Sequence, residues 1–191
     1  MNNGGDILIE VSARHLHVSR EHLDVLYGAG YQLTNKKDLS QPGQFACEER
    51  VTVVGPRGEL TMSILGPERP ATQVEISATD ARTLGLSAPV RESGALAGSP
   101  GAKLVGPAGE VELDEGVIVA KRHIHFHTDE GKAFGVVDKQ IAMVRFSGPR
   151  GVMFEEVVCR VSDNFALAMH IDTDEANAAG VGAEAFGELI T

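Results

Sequence analysis

Three quartets, GPRG at 55–58, GPAG at 106–109 and GPRG at 148–151, each separate two runs of β-branched or alternating residues. Proline presets φ at the second turn position and glycine tolerates the exit, so each quartet is expected to close a hairpin. The strand runs are DILIEVS (6–12), RVTVV (50–54), LTMSIL (60–65), GEVEL (109–113), GVIVAK (116–121), KQIAMVRF (139–146) and GVMFEEVVCRV (151–161). Short strands tied by tight turns fit compact β-barrels or sandwiches. A chain of 191 residues suits one large domain or two small ones.

A second repeat emerges when the chain is aligned on glycine. Glu75, His125 and His170 each stand ten residues before a glycine (Gly85, Gly135, Gly180), and His17 stands eleven before Gly28. Between each pair lies an N-cap signal: Ser77 with Asp80, Thr128 or His127, Asp172 with Glu175, and Ser19. The pattern predicts four strand-to-helix units, each helix about two turns long and closed by a glycine suited to a left-handed C-cap. Chance spacing is the competing explanation in a chain with 22 glycines. SAPVRESGALAGSPGA (87–102) reads as a loop or linker, and TNKKDLSQPGQFA (34–46) as a flap folding over a site.

Five of the seven histidines lie in VSARHLHVS (11–19) and VAKRHIHFH (119–127). Residues i and i+2 of a strand face the same way about 6.6 Å apart, so both rings of a His-x-His pair can converge on one ion. Adding Glu75 and His170, which hold equivalent places in the repeat, gives two sets of three: His15, His17, Glu75 and His123, His125, His170. Zinc accepts both donor types, and three protein ligands leave a position open for chemistry. One such pair alone reads equally well as core histidines or a solvent-facing decoration. Two pairs in matching arginine-flanked contexts favour metal. His22 and His127 read as helix-face and cap residues, and Cys47 and Cys159 as small buried apolar residues.

Arg14, Lys121 and Arg122 flank the histidine pairs, and Arg69 precedes Glu75. A guanidinium fork suits phosphate oxygens, although for Arg69 a purely solvated role is an equal reading. Neither a Walker loop nor a G-x-S-x-G elbow is present, so P-loop hydrolysis and a serine nucleophile are not indicated. With 17 basic and 27 acidic residues, the chain is a poor match for nucleic acid or an anionic membrane. A locally basic pocket can still take a small anion. No apolar run approaches the roughly 18 residues of a membrane span, MNNGGD lacks the regions of a signal peptide, and two cysteines are too few for a disulfide framework. A reducing, cytosol-like compartment is expected.

SARHLHVS, LSQPGQFA, LGPERPATQVEIS, AKRHIHF and MHIDTDEANAAG, in this order from about residue 7 to 185, resemble the PduL-type phosphate propanoyltransferases, phosphotransacylases of bacterial microcompartments. The resemblance implies a mainly β fold of two small β-barrel domains with short capping α-helices and the active site between them. It assigns 14–120 to a central barrel with an inserted flap near 34–46, and 1–13 plus 121–191 to a discontinuous one. It also implies two Zn2+ ions on the two sets of ligands named above, with coenzyme A and phosphate exchanged on a propanoyl or acetyl group. Arg69 would hold the phosphate, and Ser12, Lys37 and Asn177 would lie near coenzyme A. Ser63 stands where an arginine is expected, which puts one coenzyme A contact in doubt. The implied partners are acyl-CoA, phosphate, microcompartment shell or lumen proteins and a second copy of the chain, without nucleic acid or membrane. The setting would be propanediol degradation in the microcompartment lumen, or the cytoplasm for a form without the targeting extension of many relatives.

No serine or cysteine sits in a nucleophile setting, so direct attack of phosphate on the thioester is expected. Two competing readings use the same ligands: a metal-dependent hydrolase of a thioester or phosphate ester, and a non-catalytic metal-binding shell component.

Overall fold

The computed structural model describes residues 6–190. The leader reading of MNNGGD therefore falls, except for Asp6, outside the described residues, as do the outermost ends of the expected discontinuous domain. In chain order the first elements are β1 (Asp6–Val11), β2 (His15–His17), α1 (Arg20–Tyr27), β3 (Asn35–Asp38), β4 (Phe45–Val54), β5 (Glu59–Gly66), β6 (Gln73–Glu75), α2 (Ala78–Leu84) and β7 (Val90–Arg91). They are followed by β8 (Ala102–Val105), β9 (Glu110–Leu113), β10 (Val117–Ala120), β11 (His123–Phe126), α3 (Thr128–Phe134), β12 (Ile141–Phe146), β13 (Val152–Val161), β14 (Ala168–Ile171), α4 (Thr173–Ala179) and β15 (Ala185–Ile190). Over the described residues the protein is mainly β with four short helices, as its turn and capping signals predict.

The chain divides into two compact units. Among the described residues, one holds 6–12, Ser40–Pro42 and 121–190; the other holds Ala13–Leu39 and Gly43–Ala120. In the first, six strands close a barrel in the order β1-β14-β11-β13-β12-β15. Alternation fills it: Ile7 and Ile9 from β1, Ala142 and Val144 from β12, and Ala185 and Leu189 from β15 point inward onto Phe126, Met169 and Phe154. Each large apolar side chain removed from water contributes about 1.5–3 kcal/mol. The second unit is a half-barrel sheet, ordered β7-β10-β6-β2-β5-β4-β8-β9 with β3 paired to β4. Its core gathers Leu16, Leu23, Leu26, Val51, Val53, Met62, Ile64, Leu84 and Leu104.

Both units repeat one pairing scheme. In the barrel, β1 runs parallel to β14, β14 antiparallel to β11, and β11 parallel to β13. In the half-barrel, β10 runs parallel to β6, β6 antiparallel to β2, and β2 parallel to β5. Each histidine strand is thus wedged between one parallel and one antiparallel neighbour.

The four expected helices form with the expected N-caps. Ser77, His127 and Asp172 each make a reciprocal capping box with the residue three positions on, and Ser19 accepts from the His22 backbone N–H. Gly85, Gly135 and Gly180 are left-handed C-caps. Gly28 differs, leaving α1 at φ 104° and ψ 150°, a region essentially restricted to glycine.

All three Gly-Pro-x-Gly quartets lie in hairpin turns, with Gly55 N–H donating to Gly58 O, Gly106 N–H to Gly109 O and Gly151 N–H to Gly148 O. For two of them, turn chemistry is only part of the reason for glycine. A Cβ on Gly55 would lie 2.3 Å from the Leu84 carbonyl oxygen, and one on Gly106 would lie 2.4 Å from that of Leu26. Each turn backs onto the last carbonyls of a helix, and the N–H groups of Arg57 and Ala108 donate to those same oxygens.

The stretch 34–46 is tied into the sheet by strand pairing. It contains β3, a bulged antiparallel partner of β4, and a loop closed by Leu39 N–H to Gln44 O at 3.0 Å. The loop 87–102 carries the two-residue β7 and leads into β8.

Candidate metal centres

Strand register brings the first set of ligands together. His15 and His17 project from the same face of β2, and β6 runs antiparallel beside it with Glu75 as the Cα partner of His15. His15 Nε2 lies 3.6 Å from Glu75 Oε2, and His17 Nε2 lies 3.9 Å from Oε1. One donor atom from each residue falls within 4.8 Å of the others. The Nδ1 atoms are engaged elsewhere, His15 with Ala13 O at 2.9 Å and His17 with Leu65 O at 3.0 Å. Each backbone carbonyl selects the tautomer with the proton on Nδ1, leaving the Nε2 lone pair for a ligand.

Electrostatics prepare the same state at His17 and a charged carboxylate at Glu75, but work the other way at His15. Burial, neighbouring His15 and the Arg69 charge push the His17 imidazole down to about 3, so it is neutral near pH 7. Burial would raise the Glu75 carboxyl, but His15, His17 and Arg69 together hold it well below the usual carboxylate range. Burial also opposes a charge on His15, where the adjacent Glu75 carboxylate outweighs it and raises the pKa.

The second set repeats the construction in the barrel. His123 on β11 is the Cα partner of His170 on the antiparallel β14. Ring centroids of His123, His125 and His170 lie 4.7 to 5.2 Å apart, with one nitrogen from each within 4.8 Å of the others. His123 Nδ1 engages Lys121 O at 2.9 Å. Phe165 packs its ring 4.3 Å from that of His125. Imidazole and carboxylate donors in threes fit a borderline ion such as zinc.

The arginines beside the histidine pairs bind helix-capping carboxylates. Arg14 binds Asp80, the capping-box residue of α2, at 2.7 Å, and Arg122 binds Glu175, the capping-box residue of α4, at 2.7 Å. Each ties a histidine strand to the helix that follows the third ligand. Lys121 pairs with Glu156 at 3.3 Å.

Arg69 stays with the first cluster. Its Nη1 donates to Ser93 Oγ at 3.1 Å, and that hydroxyl lies 3.1 Å from Glu75 Oε1. Gln73 completes the network, donating to Glu75 and, at 2.7 Å, to Ser93. Sequence reasoning misses both residues. Gln73 stands two positions before Glu75 on one strand and so shares its face, which was a usable signal; Ser93 lies in a Gly-rich loop and offered none.

Ser12, Lys37 and Asn177 belong to neither ligand cluster. Ser12 donates its N–H to Ile171 O, while Lys37 on β3 and Asn177 on α4 are exposed. Ser63 is the Cα partner of His15 on β5, directly beside the first cluster. His22 bonds Thr72 through Nδ1, and His127 caps α3.

The sequence profile of the phosphate propanoyltransferase family matches residues 8–182. The chain belongs to this family. Phosphate propanoyltransferases of Clostridioides difficile, Enterococcus faecalis and Thermotoga maritima are 52%, 51% and 53% identical to it. Those alignments cover 96%, 95% and 91% of the chain and 88%, 87% and 83% of the respective relatives. The resemblance drawn from the motifs is borne out, and all six residues of the two clusters fall inside the region matched to the phosphate propanoyltransferase family.

Proposed function

We propose that the chain interconverts short-chain acyl-CoA plus phosphate with acyl phosphate plus coenzyme A, propanoyl-CoA being the reference substrate. The observation that carries this reading is the duplicated ligand cluster with Arg69 hydrogen-bonded beside one copy, in a chain of the phosphate propanoyltransferase family. His15, His17 and Glu75 would hold one Zn2+, and His123, His125 and His170 the other. Zinc supplies Lewis-acid stabilisation of a developing oxyanion and of a departing thiolate.

The protein's own groups do the rest. Ser93 fixes the Arg69 guanidinium, whose planar fork suits two phosphate oxygens. A phosphate oxygen attacks the thioester carbonyl carbon, the C–S bond breaks, and the sulfur of coenzyme A takes up the proton that hydrogen phosphate loses. Holding both reactants at once supplies the proximity missing in water. Ser12, Lys37 and Asn177 are assigned to coenzyme A on the family resemblance, with exposed Lys37 suited to its phosphates. The microcompartment setting and the propanediol pathway rest on the same resemblance, and fractionation of the native host tests them.

Metal analysis beside a thiol-release assay on propanoyl-CoA tests the reaction. Two ions per chain and thiol release that requires added phosphate support it. Release without phosphate selects the hydrolase, and bound metal without turnover selects the shell component.

A further inference from the structure

Three of the ligand histidines, His15, His17 and His123, direct Nδ1 at a backbone carbonyl. At His170, Nδ1 faces a side chain: Glu10 Oε2 lies 3.6 Å away. Glu10 and His170 are Cα partners on the parallel pair β1 and β14, so their side chains leave one face of the barrel as neighbours. The same carboxylate oxygen accepts a hydrogen bond from Ser40 Oγ.

Ser40 stands at the tip of the β3–β4 loop, whose residues Ser40–Pro42 belong to the barrel unit. A second contact pins this tip. The Gln41 side chain, in a residue only 4% exposed, donates Nε2–H to Ala166 O at 2.9 Å and accepts at Oε1 from Ala166 N–H at 3.3 Å. Such a reciprocal pair satisfies the amide as a strand ladder would and fixes its direction. Ala166 adjoins Phe165, whose ring packs at a tilt against that of His125. The tip therefore reaches two of the three histidines, His170 through Glu10 and His125 through Phe165.

We propose that Glu10 is a positioning residue for the second metal centre, held by Ser40, and that the 40–42 tip is a latch that sets the tautomer and orientation of His170. A carboxylate on Nδ1 keeps the proton there and makes Nε2 the donor to the ion, more strongly than a neutral carbonyl does. The two centres are then unlike in construction: at the first, the third ligand is itself the carboxylate, whereas at the second the carboxylate stands behind an imidazole. This inference rests on the metal reading above, but its predictions for His170 do not depend on the metal.

Two measurements on Glu10→Gln and Ser40→Ala test it. The first is a chelator-competition titration of Zn2+ into the apoprotein. Glu10→Gln is expected to weaken one of two sites by about 10- to 100-fold, the usual effect of losing a carboxylate behind a ligating histidine. Ser40→Ala should weaken that site less, and both variants should leave the other site alone. The second is the nitrogen-15 NMR pattern of His170 in metal-free protein, at a pH about two units above the ordinary imidazole value. The wild type should show the proton on Nδ1 and Glu10→Gln a mixture of tautomers at His170 alone, with His15, His17 and His123, whose Nδ1 atoms face backbone carbonyls, unchanged; a general loss of packing would not be confined to His170. Two tight sites in Glu10→Gln with unchanged tautomers overturn the inference while leaving the metal reading intact. If the wild type binds no zinc, the metal reading fails and the role of Glu10 toward a metal fails with it; the proton on Nδ1 then supports only the hold of Glu10 on His170, and a mixture in the wild type ends that as well.

Discussion

A strand turns two imidazoles to one side when they are two residues apart, and the neighbouring strand's register decides what meets them. His15 faces Glu75 and His123 faces His170 for this reason. Removing one imidazole leaves two protein donors, so His17→Ala and His125→Ala should each lower the bound zinc from two ions toward one and reduce activity in step. Unchanged stoichiometry in both variants, read by metal analysis, would show that these pairs are not ligands. Arg69→Gln acts on the substrate instead. It should reduce phosphate-dependent turnover by about 2 to 4 kcal/mol in the transition state, the scale of one lost charge-stabilising donor, while coenzyme A affinity changes little. The six residues of the two clusters were legible in the sequence, because spacing of two marked the paired histidines and the repeat marked Glu75 and His170. The ion pairs of Arg14 and Arg122 were not legible, since a sequence shows a guanidinium beside a histidine but not the capping carboxylate it reaches across 66 or 53 positions.

Helix ends and hairpins were readable because both are written in short local codes. Ser77 with Asp80 and Asp172 with Glu175 announce capping boxes within four residues. The strand β15, AFGELI, was not legible. Gly187 interrupts its apolar alternation, and only the folded barrel gives the reason: a Cβ there would lie 2.5 Å from Val144 Cγ1 and 3.0 Å from Ile9 Cδ1. The same close approach governs the hairpins. Gly55→Ala would place a methyl 2.3 Å from the Leu84 carbonyl and must push the β4–β5 turn off α2. Overpacking of this kind costs about 1–3 kcal/mol, measured as a lower urea midpoint at unchanged slope. Gly182→Ala is the control: its Cβ meets nothing within 4 Å and its φ lies outside the left-handed range, so stability should stay within about 0.5 kcal/mol. Equal midpoints for the two variants would mean that turn geometry alone explains the quartets.

At the scale of the whole molecule, one strand-to-helix unit written four times builds two units of like pairing, each carrying one ligand set. That duplication constrains the chemistry, because neither set includes a serine or cysteine that an acyl group could occupy. The two thiols do not supply one. Cys47 and Cys159 are buried, and desolvation pushes them up to about 12 and about 11. At pH 8 roughly one in ten thousand and one in a thousand, respectively, would be thiolate, against about a quarter of an unperturbed cysteine. Neither should be alkylated by iodoacetamide in the folded protein, and both should react in denaturant. If transfer is direct, acyl-CoA and phosphate must be bound together, so double-reciprocal plots at several fixed phosphate concentrations should intersect. A covalent acyl-enzyme would release coenzyme A before phosphate binds and give parallel lines. Cys47→Ser and Cys159→Ser, made separately, should retain turnover, any loss tracking stability rather than the rate of the chemical step. Parallel lines, or an acylated cysteine trapped by mass spectrometry from enzyme mixed with propanoyl-CoA alone, would end the direct-attack mechanism while leaving the overall reaction standing.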